Sequence, residues 1–338
     1  MSFFKLRRTK MLDEAVLNHK PQQLFTSLLI FYLVFLIADV ISGVIATIPT
    51  AFWMMSYEGF ADMLIEYTSA IMAGDKDTAV YQAFIDEMIA NIPAWLTGVT
   101  LIASAGLIAT AIFYCKKFEK RPISSLGIRK KHIFREYGLG ALIGLVMLGL
   151  TYLISFLSGA VSIKLNPNGI SPLILLFLLG FIIQGAGEEI MLRGYYMITV
   201  ARDYKIATAI AVTSVLFGLL HGGNESVNTL SIINIVLFGI FLGVYVFKRG
   251  DIWGVCAIHA MWNFAQGCIF GVSVSGMDTK VSIFVTEIDK NKVLANGGSF
   301  GLEGSIATTI VVLIAIALVF LLKTKKGEES LSDAIDFE

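Results

Sequence analysis

Long apolar runs separated by short polar segments fill most of this 338-residue chain. A helix needs about 20 apolar residues to cross the hydrocarbon core of a bilayer. The runs that approach this length are 24–48, 92–115, 136–157, 172–194 or somewhat longer, 206–222, 229–247, 252–270 and 305–322. The pattern therefore predicts an all-α polytopic membrane protein with about eight transmembrane helices.

Composition agrees with this fold class, because hydrophobic residues make up 56% of the chain and charged residues only 15%. In a soluble domain about a quarter of the residues are charged. The formal net charge is zero, so bulk charge predicts no nucleic-acid partner. The three cysteines lie in or beside apolar runs and lack CxxC spacing. We therefore expect neither a disulfide framework nor a thiolate metal site.

The charges of the polar segments predict an orientation. If every apolar run crosses the membrane, the Lys-rich and Arg-rich segments share one side: the N-terminal segment, 115–135, 201–205, 248–251 and the segment after 322. The acidic segment 49–91 falls on the other side. The positive-inside rule then places both termini in the cytoplasm. We expect an integral protein of a bacterial plasma membrane with 49–91 extracytoplasmic.

The segment 49–91 has its own pattern. Apolar residues recur at helical spacing over 60–67 and 81–88, which predicts two short amphipathic helices with a break around Gly74 and Asp75. Two interpretations stay open: a solvated extracytoplasmic cap, which is the more ordinary one, and a surface for an envelope-protein partner. Later in the chain, 280–288 resembles a strand, and the acidic end GEESLSDAIDFE is predicted to be disordered.

Two adjacent glutamates, Glu188 and Glu189, interrupt the apolar stretch LILLFLLGFIIQGAGEEIMLRG. An acidic residue at the centre of a membrane helix costs roughly 2.5–3.5 kcal/mol and is usually functional. At about 100° per residue, Glu189 and Arg193 share one helix face, so we expect them to form an ion pair. Glu188 would then be the free carboxylate, suited to general acid–base work. A purely structural charge cluster is the alternative, but one arginine cannot neutralise two carboxylates.

Two of the four histidines, His221 in FGLLH and His259 in HAMWN, also lie in apolar runs. His259 and Asn263 project from the same helix face. Buried polar groups need hydrogen-bond partners, so we expect these side chains to face one another and Glu188 across the bundle. We expect the site to open towards the cytoplasm at a depth of roughly 10 Å. The fifth helix is predicted to break at His221. Tyr152, Gln184 and Gln266 could line the cavity, although single polar residues commonly join helices.

The motifs EExxxR, FxxxH and HxxxN occur in this order on successive predicted helices. This arrangement resembles the CPBP family of intramembrane proteases, which includes the Ras-converting CAAX prenyl protease and bacterial proteins associated with bacteriocin processing and immunity. The resemblance covers about residues 116–270, including RPISSLGI at 121–128. It implies hydrolysis of a peptide bond in a membrane-associated peptide or protein. Glu188 and His221 would activate water, and His259 and Asn263 would stabilise the oxyanion.

The resemblance also predicts a division of the chain. Residues 1–91 would hold an anchor span and the acidic loop, 92–270 the catalytic helix bundle, and 271–338 an extracytoplasmic loop, the last span and an acidic tail. Glu188, His221 and His259 could alternatively hold zinc with water in the open position. HExxH is absent, and we favour a glutamate mechanism that requires no cofactor.

Two other functions were weighed. A non-catalytic bacteriocin-immunity protein, or a membrane scaffold for a cell-envelope enzyme, would use the 49–91 segment as a partner surface. Such a scaffold has no need for the complete set of Glu188, Glu189, Arg193, His221, His259 and Asn263. A proton-coupled transporter would also use intramembrane Glu and His, but the chain shows no inverted repeat. The sequence therefore favours the enzyme.

Overall fold

A computed structural model of the chain describes residue 6 and residues 8–17, 19–74 and 79–321. The α-helices, in chain order, are α1 (Lys10–Val16), α2 (Leu24–Ser56), α3 (Phe60–Met72), α4 (Ala79–Ala90), α5 (Ala94–Ala103), α6 (Ala105–Lys117), α7 (Ile133–Leu157), α8 (Ile174–Glu189), α9 (Met197–Asp203), α10 (Ile206–Leu220), α11 (Thr229–Arg249), α12 (Trp253–Phe264), α13 (Val293–Asn296) and α14 (Ile306–Leu321). Two strands are described, β1 (Val161–Leu165) and β2 (Phe284–Ile288).

Two helices continue without interruption into π-helical turns. Residues Ile190–Tyr196 join α8 to α9, and Ala265–Ile269 extend α12. Short 3₁₀ turns occur at Ile123–Leu126, Gly298–Phe300 and Leu302–Gly304.

Five of the described helical stretches are long and apolar enough to cross a membrane: Leu24–Ser56, Ala94–Lys117, Ile133–Leu157, Ile174–Asp203 and Thr229–Arg249. The helices α10 and α14 are apolar but shorter. The remaining predicted run, 252–270, corresponds to α12 with its π-helical extension. Every predicted run thus coincides with a helix, and the protein is a largely helical membrane protein.

Small residues let the central helix α12 approach its neighbours closely. It packs against both α7 and α8. A Cβ atom at Gly140 of α7 would lie 2.2 Å from the carbonyl oxygen of Gly254, and one at Gly144 would lie 2.5 Å from that of Ile258. Helix association in membranes depends on such small-residue contacts, because lipid supplies little hydrophobic force between helices. As a result α12 is buried almost throughout, and His259 lies inside the bundle.

The basic segments meet at one end of the bundle, which we call the basic end (residues 118–132, 201–205 and 249–252). Arg121 donates hydrogen bonds to Thr199 Oγ1 at 3.1 Å and to the carbonyl oxygen of Gly194 at 3.3 Å. Glu119 pairs with both Arg121 and Arg202, at 2.9 and 3.0 Å. This network holds the loop before α7 against the π-helical turn after α8.

The opposite end, called the acidic end, contains α3, α4 and the two strands. The two predicted amphipathic helices are present as α3 and α4, and residues 75–78 between them lie outside the described residues. Strand β2 lies within the predicted run 280–288. It pairs antiparallel with β1, with Val161 opposite Ile288. No strand is predicted at β1 from its sequence, so the all-α expectation misses a small two-stranded sheet. The acidic C-terminal segment, 327–338, lies outside the described residues.

Candidate active site

An ion pair inside the bundle anchors the candidate site. Arg193 Nη1 donates to Glu189 Oε1 at 2.9 Å, and both side chains are fully buried. Arg193 follows Glu189 by four positions, so the two side chains lie one helical turn apart at the start of the π-helical stretch. The predicted pairing of Glu189 with Arg193 is present. π-Helical turns are rare and frequently found at functional sites.

His259 lies between the two glutamates. Its Nδ1 is 2.9 Å from Glu189 Oε1, and its Nε2 is 3.9 Å from Glu188 Oε2. An ionised carboxylate can only accept hydrogen bonds, so Nδ1 carries a hydrogen and donates a hydrogen bond to Glu189 Oε1. Glu189 thereby holds the His259 ring in the orientation that turns Nε2 towards Glu188.

Glu188 is the partly exposed carboxylate of the pair, with 21% of its side chain accessible. Gln184 Nε2 donates to Glu188 Oε1 at 2.7 Å, and Asn263 Nδ2 donates to Gln184 Oε1 at 3.1 Å. Gln184 therefore links the candidate base to the candidate oxyanion donor. Gln184 precedes Glu188 by four residues, which puts both side chains on one helix face. This spacing is the sequence signal that could have predicted their hydrogen bond.

His221 caps the C-terminal end of α10. Its Nδ1 is 2.8 Å from the carbonyl oxygen of Phe217, which makes Nδ1 the donor and leaves Nε2 available. The Phe217 ring packs edge-on against His221, with ring centroids 4.7 Å apart, and against His259 at 6.0 Å. The guanidinium of Arg193 lies 4.3 Å from the Phe217 ring centroid, a cation–π contact. Phe217 of FxxxH is thus the packing centre of the site.

Five of these polar side chains line one cavity of about 800 Å³. Residues that share this lining are Gln184, Glu188, His221, His259 and Asn263. Asp39 of α2, a polar residue inside the first span, also faces the cavity. Tyr152 lies elsewhere, stacked on Phe270 with ring centroids 4.1 Å apart. The structure therefore brings Glu188, His221, His259 and Asn263 to the wall of one cavity.

The direction of the cavity differs from the expectation. Its lining includes Ile89, Ile92 and Lys280 from the acidic end, and none of its lining residues comes from the basic segments. At the basic end, Arg121 bonds to the carbonyl oxygen of Gly194, the residue that follows Arg193. Access is therefore favoured from the acidic end, rather than from the end that the positive-inside rule assigns to the cytoplasm.

Residues 170–265 match the family model described as Rce1-like, Type II CAAX prenyl endopeptidase Rce1-like. This segment is therefore similar to CAAX prenyl endopeptidases. The matched segment contains all six candidate site residues, from Glu188 to Asn263. The resemblance of the motifs to the CPBP and CAAX protease families is thereby confirmed. No curated protein and no solved structure matches the chain.

A zinc site is the alternative arrangement for Glu188, His221 and His259. Among the described residues, no group of three or more His, Cys, Asp and Glu side chains is close enough to hold a metal ion. The set of Glu188, His221 and His259 is not among such groups, so these side chains do not fit a metal ion in this arrangement.

Proposed function

We propose that this protein is an intramembrane endopeptidase that hydrolyses a peptide bond in a membrane-associated peptide or protein and requires no cofactor. The match to the CAAX prenyl endopeptidases supports a protease. The observation that carries the mechanism is the position of His259 between two carboxylates, 2.9 Å from Glu189 and 3.9 Å from Glu188, on the wall of a large cavity.

Charge balance explains how this set can exist inside a membrane protein. Two adjacent carboxylates favour a cationic imidazole between them. With His259 protonated, Glu188 and Glu189 carry two negative charges, and Arg193 and His259 carry two positive ones. The cluster is then neutral as a whole, which limits the cost of burying it.

The proposed roles follow from which atoms are free. Glu188 Oε1 accepts from Gln184, so Oε2 is the oxygen available to take a proton from water. The Nε2 of His221 is available to orient the same water. As the water oxygen bonds to the substrate carbonyl carbon, its proton passes to Glu188. Glu188 then returns the proton to the leaving nitrogen as the C–N bond breaks, giving a carboxylic acid and an amine.

Two donors are available for the oxyanion that forms on the carbonyl. The Nε2–H of protonated His259 lies on the Glu188 side of the ring. The amide nitrogen of Asn263 has two N–H groups, of which one is bonded to Gln184. Donors placed in advance where negative charge develops are usually the largest contribution to such catalysis.

The test compares cleavage of a peptide library by purified wild-type protein and by Glu188→Gln, each with and without a chelator. We expect the substitution to lower the rate at least about 100-fold, because general acid–base groups contribute that much or more. We expect the chelator to have no effect. Glu287→Gln is the matched control, since Glu287 is an exposed carboxylate on β2, outside the cavity, that bonds to Lys164 and Ser162.

Cleavage by Glu188→Gln at the wild-type rate would refute the proposed mechanism. Chelator-sensitive cleavage restored by zinc would show a metalloprotease. If wild type cleaves no peptide and Glu188→Gln retains the cellular phenotype, a scaffold function is the better explanation.

A further inference from the structure

Gln184 lies between two groups to which the proposed mechanism gives separate tasks. Its Nε2 donates to Glu188 Oε1 at 2.7 Å, and its Oε1 accepts from Asn263 Nδ2 at 3.1 Å. Glu188 is the candidate base, and Asn263 is a candidate oxyanion donor. All three side chains line the large cavity, and Gln184 belongs to none of the motifs EExxxR, FxxxH and HxxxN.

A close approach of two helices brings Gln184 to Asn263. Gln184 is on α8 and Asn263 is on α12, 79 positions further along the chain. A Cβ atom at Gly185, the residue after Gln184, would lie 3.0 Å from the backbone nitrogen of Ala260. The two helices are therefore in backbone contact at this level, and the short Asn263 side chain reaches Gln184. Asn263 is only 5% exposed, so its amide depends on protein partners.

The charge on Glu188 determines the direction of both hydrogen bonds. The amide groups of glutamine and asparagine each have a donor end and an acceptor end. An ionised carboxylate can only accept, so Gln184 turns its NH₂ group to Glu188. Its carbonyl oxygen then faces Asn263, which has to present an N–H to it. A chain of donors thus runs from Asn263 through Gln184 to Glu188.

This direction decides what Asn263 offers to a substrate. The terminal torsion of an asparagine side chain is broad and roughly two-fold, so the amide could otherwise turn its oxygen to the place where its nitrogen now lies. A carbonyl oxygen would repel the negative charge that forms on the substrate. Among the described residues, the bond to Gln184 is the only hydrogen bond of the Asn263 side chain. It selects the orientation in which the second N–H of Nδ2 is available to the oxyanion.

We propose that Gln184 is a positioning residue, which fixes the orientation of the Asn263 amide by reading the negative charge of Glu188. This inference rests on the proposed peptidase function. In this role Gln184 contacts Asn263 and not the substrate. The group that takes the proton from water thereby also sets the donor for the oxyanion. Glu188 depends on Gln184 less than Asn263 does, because Glu188 also faces His259 at 3.9 Å.

The test is a double-mutant cycle in the full-length protein. Gln184→Met keeps the length of the side chain and removes both hydrogen bonds. We expect it to lower kcat about tenfold with KM unchanged, because the oxyanion donor acts only in the transition state. Asn263→Ala should lower kcat about 100-fold or more. Adding Gln184→Met to Asn263→Ala should cost about twofold or less, because the group through which Gln184 acts is then already lost.

Gln82 supplies a matched control. Its Nε2 donates to the carboxylate of Asp86, four residues further on, at 2.9 Å, and Gln82 does not line the large cavity. Gln82→Met should leave kcat unchanged. If Gln184 had only a structural role, Gln184→Met would lower stability in detergent, and its loss of kcat would multiply with that of Asn263→Ala to about 1000-fold.

A second readout does not depend on activity. The side-chain amide of Asn263 can be assigned by NMR with isotope-labelled asparagine, through comparison with Asn263→Ala. The hydrogen-bonded proton of this amide should move upfield in Gln184→Met and stay in place in Gln82→Met. Gln184→Glu retains an acceptor oxygen and should keep the signal nearer to that of wild type, even if Gln184→Met folds poorly.

An unchanged kcat in Gln184→Met, or losses that multiply in the cycle, would overturn the positioning role. That result would leave the peptidase function standing as long as Glu188→Gln is inactive. Full activity of Glu188→Gln would instead refute the mechanism and with it the catalytic part of this proposal, whereas the Asn263 signal would show whether the bond to Gln184 is present.

Discussion

At the scale of single residues, Arg193 is the side chain on which the site depends most. It is fully buried, pairs with Glu189 at 2.9 Å and lies over the Phe217 ring. The same glutamate orients His259. One carboxylate therefore neutralises the buried guanidinium and also orients a candidate catalytic ring.

We predict that Glu189→Gln destabilises the protein by about 3–5 kcal/mol, because it leaves a buried guanidinium without a counter-charge. The measurement is thermal or denaturant unfolding in detergent. The double variant Glu189→Gln with Arg193→Met should recover much of this loss, because it removes the unpaired charge and keeps most of the volume. Equal stability of Glu189→Gln and wild type would contradict the prediction.

Sequence spacing was enough to predict the Glu189–Arg193 pair, because four residues bring two side chains to one helix face. It was not enough to place Glu303, a buried residue that shares the lining of a small cavity of about 30 Å³ with His221. Glu303 lies 40 positions beyond Asn263, in a segment without a recognisable motif, and only the packing of the 271–304 segment against α11 and α12 brings it near His221.

At the scale of elements, the contact between α7 and α12 positions His259. Gly140 and Gly144 face the backbone of Gly254 and Ile258 at distances that leave no room for a side chain. Because α12 also packs on α8, its depth and rotation decide how far His259 lies from Glu188 and Glu189.

We predict that Gly140→Ala destabilises the protein by about 1–3 kcal/mol, since its methyl group would overlap the Gly254 carbonyl and separate the helices. Gly138→Ala, on the same helix, is the control. No atom lies within 4 Å of a Cβ atom placed there, and alanine is the better helix former. Unfolding in detergent should show a loss for Gly140→Ala and no loss for Gly138→Ala. Equal effects would refute the close-packing argument.

The end of α10 is an element boundary that the sequence did predict. The helix ends at Leu220, and His221-Gly222-Gly223 begins the turn. Glycine is poorly suited to the helix interior because its backbone loses the most entropy on ordering. His221 is the first residue after the helix, and its side chain lines the large cavity.

At the scale of the whole molecule, the two ends of the bundle have opposite character. The basic end is packed through Glu119, Arg121 and Arg202. The acidic end contains α3, α4 and the small sheet, and contributes Ile89, Ile92 and Lys280 to the lining of the large cavity. We therefore expect access to the large cavity from the acidic end.

We predict that residues of the two ends lie on opposite sides of the membrane. Single cysteines at Glu58→Cys and Arg135→Cys would be labelled with a membrane-impermeant maleimide. Both positions are exposed, and the native cysteines, Cys115, Cys256 and Cys268, are buried, so background labelling should be low. We expect labelling of intact cells at Glu58→Cys only, and at Arg135→Cys after permeabilisation. Labelling of both from one side would contradict the predicted topology.

The sequence by itself determined that this is a helical membrane protein, where its apolar runs lie, and which six residues form the candidate site. These features depend on local chemistry: the length of an apolar run, the cost of charge in lipid and the spacing of side chains on one helix. Tertiary structure decided the features that arise from distant segments. It joined the basic segments in one hydrogen-bonded network, paired β1 with β2, placed His259 between two glutamates and brought Glu303 and His221 into the lining of one small cavity. Such contacts depend on how helices pack against one another, which hydrophobic periodicity within a single helix does not specify.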